Sequence, residues 1–237
     1  DISRDASPLR TADVARLIAI EGIDGSGKGT QAQRLVDALR ARGHDAALAG
    51  FPRYRETFFG ARIGDFLNGR FGSLDEVDPF LAAVLFAGDR CESRGMLADL
   101  LNEHEYVVLD RYVASNIAHQ AAKREGDARD ELAGWIRQLE YDVYGLPPAD
   151  LTILLDLPAE QARELVARKA ARSYTEATAD LQEADLAYQQ RVRELYRKLA
   201  AAEPGWTVVS IVDGQGALRP IDEVGRDLLT AVLGTAR

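Results

Sequence analysis

The densest chemistry in the chain lies in Gly22-Ile23-Asp24-Gly25-Ser26-Gly27-Lys28-Gly29-Thr30-Gln31. Gly22, Gly27 and Lys28 fit the spacing G-x-x-x-x-G-K, where small residues let backbone N–H groups converge on phosphate oxygens at a helix N-terminus, whose dipole favours an anion. Lys28 would reach the β- and γ-phosphates of ATP, with Gly25, Ser26 and Gly29 completing the cradle. The strict pattern has Ser or Thr directly after the lysine. Gly29 stands there instead, so a hydroxyl facing Mg2+ must come from Thr30 or be partly replaced by water.

A second reactive end follows the apolar run Tyr106-Val107-Val108-Leu109, which closes on Asp110-Arg111-Tyr112. An aspartate at the end of a buried strand sits where ligands bind in open α/β sheets. Alone, such an aspartate is more often a helix cap or turn former. Beside a phosphate loop in the same sheet, Asp110 is expected to hold Mg2+ or its waters.

These residues need a sheet to position them. From Leu17 the chain alternates short aliphatic runs with longer amphipathic stretches, the pattern of stacked βαβ units in an α/β protein with a parallel sheet. Five strands are expected at Leu17–Glu21, Ala46–Phe51, Tyr106–Asp110, Leu151–Asp156 and Thr207–Ile211. Their nearly continuous apolar character suits strands covered on both faces. Helices are expected near Thr30–Arg42, Thr57–Leu67, Pro79–Asn102, Ala114–Lys123, Asp130–Tyr144, Ala159–Arg168, Ala177–Ala202 and Ile221–Leu233. Gly145 with Pro147 and Pro148, and later Pro204 with Gly205, stop helices ahead of the last two strands. Residues 1–16 show no periodicity and are expected to form a flexible N-terminal extension, leaving 17–237 as a single domain.

Composition narrows the partners. A net charge of −9 repels a polyphosphate backbone over most of the surface, which argues against nucleic acid but not against a small phosphorylated ligand in a local basic pocket. The longest apolar run, Pro79 to Ala87, falls far short of the roughly 20 residues of a membrane helix. The lone cysteine, Cys91, can form no internal disulfide and is expected as a buried thiol in a reducing cytoplasm.

Four further segments, in order along the chain, carry a resemblance to a family. They are Phe51-Pro52-Arg53-Tyr54, Leu85-Phe86-Ala87-Gly88-Asp89-Arg90, Asp110-Arg111-Tyr112-Val113-Ala114-Ser115-Asn116 and Gly145-Leu146-Pro147-Pro148-Ala149-Asp150. With the Glu21-to-Lys28 start, they resemble thymidylate kinase, of the nucleoside monophosphate kinase group, over Leu17 to about Leu199. The resemblance implies a P-loop kinase fold, with a five-stranded parallel sheet flanked by helices, a mobile lid at about 167–180 and a homodimer. It also implies transfer of the γ-phosphoryl group of ATP to dTMP, with Mg2+.

Carried over to this chain, Phe86 resembles the aromatic that stacks on thymine and Arg90 the donor to its O4; four residues apart, they share one helix face. Arg111 resembles the arginine that holds the acceptor phosphate, with Arg53 and Tyr54 as helpers and Phe51 and Ser115 beside them. Asp24 is similar to the residue near the acceptor sugar and the metal's waters, and Asn116 to a base or sugar contact. His119 stands where many members carry a tyrosine against the 2′ position. Gly25 and Ser26 leave no basic residue within the loop. The resemblance therefore implies a catalytic cation in the lid, from Arg168, Lys169 or Arg172, with Arg172 nearest its tip. Asp180 and Glu183 resemble acidic positions after the lid, although Leu181 replaces a frequent arginine. Gly-Lys-Gly-Thr-Gln also continues the loop of adenylate and uridylate-cytidylate kinases, so AMP, UMP or CMP stands as an alternative acceptor. A nucleotide-dependent switch ATPase is the alternative outside the kinases.

Overall fold

A computed structural model describes residues 15–73, 76–172 and 185–234, with the backbone alone for 168–172. Its centre is a five-stranded, wholly parallel sheet of β1 (Arg16–Glu21), β2 (Ala46–Gly50), β3 (Tyr106–Asp110), β4 (Leu151–Asp156) and β5 (Trp206–Ser210), in the spatial order β2-β3-β1-β4-β5. Leu17, Ile18, Ile20, Val107, Val108, Leu109, Ile153 and Leu155 are fully inaccessible, as the aliphatic runs require of central strands. Strands β1 and β3 are neighbours, with Ile20 opposite Asp110. The chain leaves β1 towards one edge of the sheet and returns from β3 across it to β4. The crevice beyond their carboxyl ends is thus a topological switch point. Both chemical segments, Gly22–Thr30 and Asp110–Tyr112, open into it.

Helices cover both faces: α1 (Lys28–Arg40), α2 (Phe58–Leu67), α3 (Pro79–Glu92), α4 (Arg94–Glu103), α5 (Val113–Ala121), α6 (Gly126–Arg137), α7 (Ala159–Arg172), α8 (Leu186–Ala202) and α9 (Ile221–Gly234). Thr57 caps α2 by accepting from the Gly60 N–H, and Asp78 caps α3 ahead of Pro79 at its first position. A satellite apolar cluster of Ile63, Phe66, Leu67 and Ala82 joins α2 to α3.

Three local departures from the sequence pattern matter for the site. The single helix expected over Pro79–Asn102 is broken at Ser93, whose hydroxyl bonds back to the Asp89 carbonyl at 2.8 Å and competes with the helical ladder. The helix expected to start at Asp130 starts at Gly126, and Gln138–Val143 widens into a π-helical stretch. Such a stretch re-aims its side chains and is frequent at functional positions. Cys91 is half-buried rather than buried, because it falls at the margin of the face that α3 turns inward through Ala83, Ala87 and Arg90. Residues 1–14 and 173–184 lie outside the described residues, and with them most of the expected lid, Asp180, Leu181 and Glu183. Arg172 ends α7, but its side chain and those of Arg168 and Lys169 are likewise outside the description. Among the described residues no helix is long and apolar enough to cross a membrane.

Candidate active site

The phosphate loop is the turn from β1 into α1. Gly27, at φ 84°, occupies the N-cap position of α1, a left-handed conformation that glycine adopts without strain. Lys28 folds back to donate from Nζ to the Ile23 carbonyl at 2.8 Å. Burial, followed by the nearby Arg111 cation, brings its pKa down from 10.5 to about 8. Gly25 runs so close to α7 that a Cβ there would lie 2.5 Å from the Ala162 carbonyl oxygen. The absence of a basic residue at this point of the loop thus has a steric cause.

Gly29 also has a reason to lack a side chain, since a Cβ would approach Asp110 Oδ2 to 2.9 Å. The Asp110 carboxylate therefore lies directly over the first turn of α1. Its Oδ1 is buried without a hydrogen-bond partner among the described residues, and so is the Ser26 hydroxyl oxygen. Thr30, one residue further along α1, is exposed. A Mg2+ ion fits this set of donors: an orphaned carboxylate oxygen over the first turn of α1, which also carries the exposed Thr30, suits a hard cation that keeps waters and binds substrate phosphates. Among the described residues no group of three or more His, Cys, Asp or Glu could hold a metal alone, so most ligands would come from water and phosphate.

Arg111 follows β3 in a left-handed conformation, φ 68°, which a non-glycine residue seldom adopts. Its N–H stays in the sheet, bonded to the Ile20 carbonyl at 3.0 Å, while the turn sends its side chain over the phosphate loop. There Nη2 forms an ion pair with Asp24. Nη1 donates to Ser115 Oγ at 3.2 Å and to His119 Nε2 at 3.3 Å. Burial alone would raise the Asp24 carboxyl, but Arg111 and then Lys28 outweigh it and hold the group well below the usual carboxylate range. Arg111 itself stays protonated, because Asp24 more than offsets the penalty of burial. Asp24 was expected near the metal's waters; in the structure its carboxylate is committed to Arg111, with Gln189 approaching the other oxygen at 3.4 Å.

Beyond Arg111 opens a pocket lined by Asp24, Phe51, Tyr54, Phe86, Arg90, Arg111, Ser115, Asn116 and His119 together with Pro52, Leu67 and Gln120. Of the expected acceptor residues, Arg53 is the exception. Its guanidinium turns to Ser93 Oγ at 3.2 Å while its backbone N–H is held by Asp89 at 3.0 Å, so this arginine braces the Phe-Pro loop against α3 instead of reaching the pocket. Phe86 packs its ring edge-to-face with Phe66, at 6.4 Å and 85°. Arg90 is buried, with Nε and Nη2 gripping Glu140 at 2.5 and 2.6 Å, which leaves Nη1 without a hydrogen bond among the described residues. Asn116 donates to the same carboxylate at 2.8 Å and to the Ala83 carbonyl at 3.0 Å, while its Oδ1 is buried and has no partner among the described residues.

Four residues that the sequence did not single out support this arrangement. Glu140 fixes Arg90 and Asn116 from the π-helical stretch. Glu21, fully buried, accepts from Tyr112 N–H, Ser115 and Tyr196, tying β1 to the first turn of α5 and to α8. Burial pushes its carboxyl up, while Ser115, Arg111 and Tyr112 pull it back. Asp89 holds the Phe-Pro loop, and Gln120 sits fully buried in the pocket wall with neither end of its amide bonded among the described residues. A buried carboxylate inside an apolar pattern was the available signal for Glu21 and Asp89. Nothing local marks Glu140, which acts on residues distant in sequence.

A phosphate loop at the switch point of a parallel sheet, with an orphaned carboxylate on one side and an arginine-gated pocket on the other, defines a P-loop phosphotransferase with two anionic substrates. Comparison with known proteins narrows the class. The family model described as thymidylate kinase matches residues 20–220, and the chain belongs to that family. It is 38% identical over 195 residues to the thymidylate kinase of Mycobacterium tuberculosis (strain H37Rv), covering 81% of this chain and 90% of that one. It is 34% identical over 146 residues to human thymidylate kinase, covering 62% and 63% of the two chains. A solved structure of thymidylate kinase from Candida albicans superposes with a TM-score of 0.71 at 28% identity, covering 94% of this chain and 93% of the other.

Proposed function

We propose that this chain carries out the reaction of its family, ATP + dTMP → ADP + dTDP, with ATP on Gly22–Thr30 and dTMP in the pocket beyond Arg111. One observation carries the reading. Arg111 stands between the donor loop and a pocket that offers an aromatic face and a guanidinium on consecutive turns of α3. Thymine would lie against Phe86, with Arg90 Nη1 donating to O4 and Asn116 Oδ1 accepting from the ring N–H. Cytosine would present an amino donor where Arg90 also donates, leaving a buried group unpaired. Tyr54 closes the mouth, and Asp24 and His119 lie at the level of the sugar and phosphate.

The acceptor phosphate needs no strong base, because its second pKa is near 6 and it is largely dianionic at neutral pH. Catalysis is then positioning and charge neutralisation along an in-line path. Lys28 and the loop N–H groups hold the donor phosphates, and Arg111 brings the acceptor oxygen towards them. Mg2+, held through Asp110 and Thr30, would supply charge neutralisation between the donor phosphates. A cation from the end of α7, Arg172 first, would close over the bridging oxygens and help exclude water, a competing acceptor. The enzyme would act as a homodimer in the cytoplasm. Phe58 and Leu81 on α2 and α3, 67% and 66% exposed, suit a covered surface, and light scattering would report a monomer if this is wrong.

The decisive assay is ADP production with dTMP, dUMP, UMP, CMP and AMP side by side. The expected result is the highest kcat/KM for dTMP. A preference for AMP or CMP would overturn the acceptor assignment, and ATP hydrolysis indifferent to any monophosphate would indicate a switch ATPase.

A further inference from the structure

His119 reaches Arg111 with a ring nitrogen, and the identity of the partner fixes what that nitrogen must be. A guanidinium has five N–H donors and no acceptor, so the 3.3 Å contact between Arg111 Nη1 and His119 Nε2 requires a bare lone pair on Nε2. The other side of the ring agrees. Tyr188 donates its hydroxyl proton to the His119 carbonyl at 2.8 Å, so towards Nδ1, 3.3 Å away, its oxygen acts as the acceptor of Nδ1–H. The same first turn of α8 reaches Asp24, through Gln189. Both members of the Arg111–Asp24 pair are therefore braced from α8.

We propose that His119 is a positioning residue for Arg111, held by Tyr188 as the neutral Nδ1–H tautomer so that its Nε2 lone pair aims the guanidinium at the acceptor phosphate.

The surroundings favour the neutral ring. His119 is 5% exposed and faces Arg111 from the β3–α5 turn, Asp24 and Lys28 from the phosphate loop, Lys123 from the end of α5, and Tyr188 and Tyr196 from α8. Burial first, then the cations Arg111, Lys28 and Lys123, bring its pKa down from 6.5 to about 3, with Asp24 opposing. The ring therefore keeps its lone pair throughout the neutral range.

The consequence for dTMP binding rests on the placement of the acceptor phosphate at Arg111; the tautomer does not. Imidazole NMR on the 15N-labelled wild-type protein, titrated from about pH 5 to 8, should show His119 with Nδ1 protonated, Nε2 bare and no titration. A protonated Nε2, or a midpoint near the ordinary histidine value, overturns the proposal whether or not any monophosphate is turned over. Kinetics supply the second arm. His119→Leu removes the acceptor and should raise the KM for dTMP about tenfold or more, with the KM for ATP within about twofold. His119→Gln keeps an acceptor and should recover most of that loss. Equal KM values for dTMP in the two variants would reduce His119 to a space-filling role. Tyr188→Phe frees the ring and should give a mixture of tautomers in the same spectrum; an unchanged spectrum overturns the part assigned to Tyr188. A wild-type protein that ignores dTMP would defeat the functional reading and leave the NMR result standing.

Discussion

The Arg90 guanidinium and the Glu140 carboxylate meet through two parallel hydrogen bonds, 2.5 and 2.6 Å long, with 2% and 0% of the side chains exposed. Each charge is tolerable only because the other is there, and Coulomb attraction to Glu140 overcomes burial to keep Arg90 protonated. Removing one partner strands the other in a medium that cannot solvate it. Arg90→Ala is expected to lose about 3–5 kcal/mol of stability in urea unfolding, and Glu140→Ala a similar amount. The double variant Arg90→Met/Glu140→Leu should regain most of it while losing the preference for dTMP over CMP. A single variant as stable as the parent would contradict the pairing, and a double variant that keeps the preference would remove Arg90 from base reading.

Lys28 should make the protein less stable at neutral pH than it need be. Its pKa is 10.5 when unfolded and about 8 when folded, so below about pH 8 both states hold the proton and the fold bears the full penalty, about 3 kcal/mol. Between those values the unfolded chain binds the extra proton, and stability rises with pH. Lys28→Met should therefore be more stable than the parent at pH 7 by about 1–3 kcal/mol, with the advantage gone near pH 11. The same variant should lose at least about a hundredfold in kcat, since a donor aimed at developing charge is gone. Urea midpoints that coincide at pH 7 would refute the buried-cation argument.

How much of this was legible in the sequence depends on the range of each interaction. The strands announced themselves because a buried parallel strand must be apolar on both faces, and each was located to within a residue or so of its place. Nine of the ten expected acceptor residues line one pocket, because short motifs after the strands and on α3 travel as units to the same end of the sheet. Arg53 did not follow, since its direction depends on Asp89 near the end of α3 and on Ser93 at the break after it, both distant in sequence. Glu140 was illegible for the same reason. Nothing near it in sequence says that it will meet Arg90, 50 residues away, or that the helix will widen to aim it. The break at Ser93 was hidden by an apolar pattern that runs through it, while a hydroxyl bond to the backbone decided the outcome.

Gly25 offers a test of the donor loop alone. Its φ of 84° is costly for a residue with a Cβ, and a methyl group would stand 2.5 Å from the Ala162 carbonyl oxygen and 3.0 Å from Val166 Cγ2. Gly25→Ala is expected to force the loop away from α7. Calorimetry should show ATP affinity weakened about tenfold or more, the equivalent of roughly 1.4 kcal/mol, against a left-handed penalty of about 1–2 kcal/mol before any clash. The affinity for dTMP should fall less than that for ATP, because most of the acceptor pocket's lining comes from α3, α5 and the Phe-Pro loop, with Asp24 from the donor loop. Unaltered ATP binding would mean that the loop has room the geometry denies.

The Asp24–Arg111 pair sets the behaviour in acid. A carboxyl whose folded pKa is depressed contributes stability above its unfolded value, near 4, and loses it as pH falls towards the folded value. Arg111 holds Asp24 well below the usual range, so its contribution should be full at pH 7, decline below about pH 4 and vanish only in strong acid. Asp24→Asn keeps the shape and removes the charge. It should be less stable than the parent by about 2–3 kcal/mol at pH 7, and the two urea midpoints should converge as the pH is lowered. A constant difference from pH 7 down to pH 2 would show that the variant fails by disturbed packing rather than by loss of the ion pair. Equal stability at pH 7 would show that the guanidinium was never held by Asp24, and the case for Arg111 as a preorganised clamp on the acceptor phosphate would go with it.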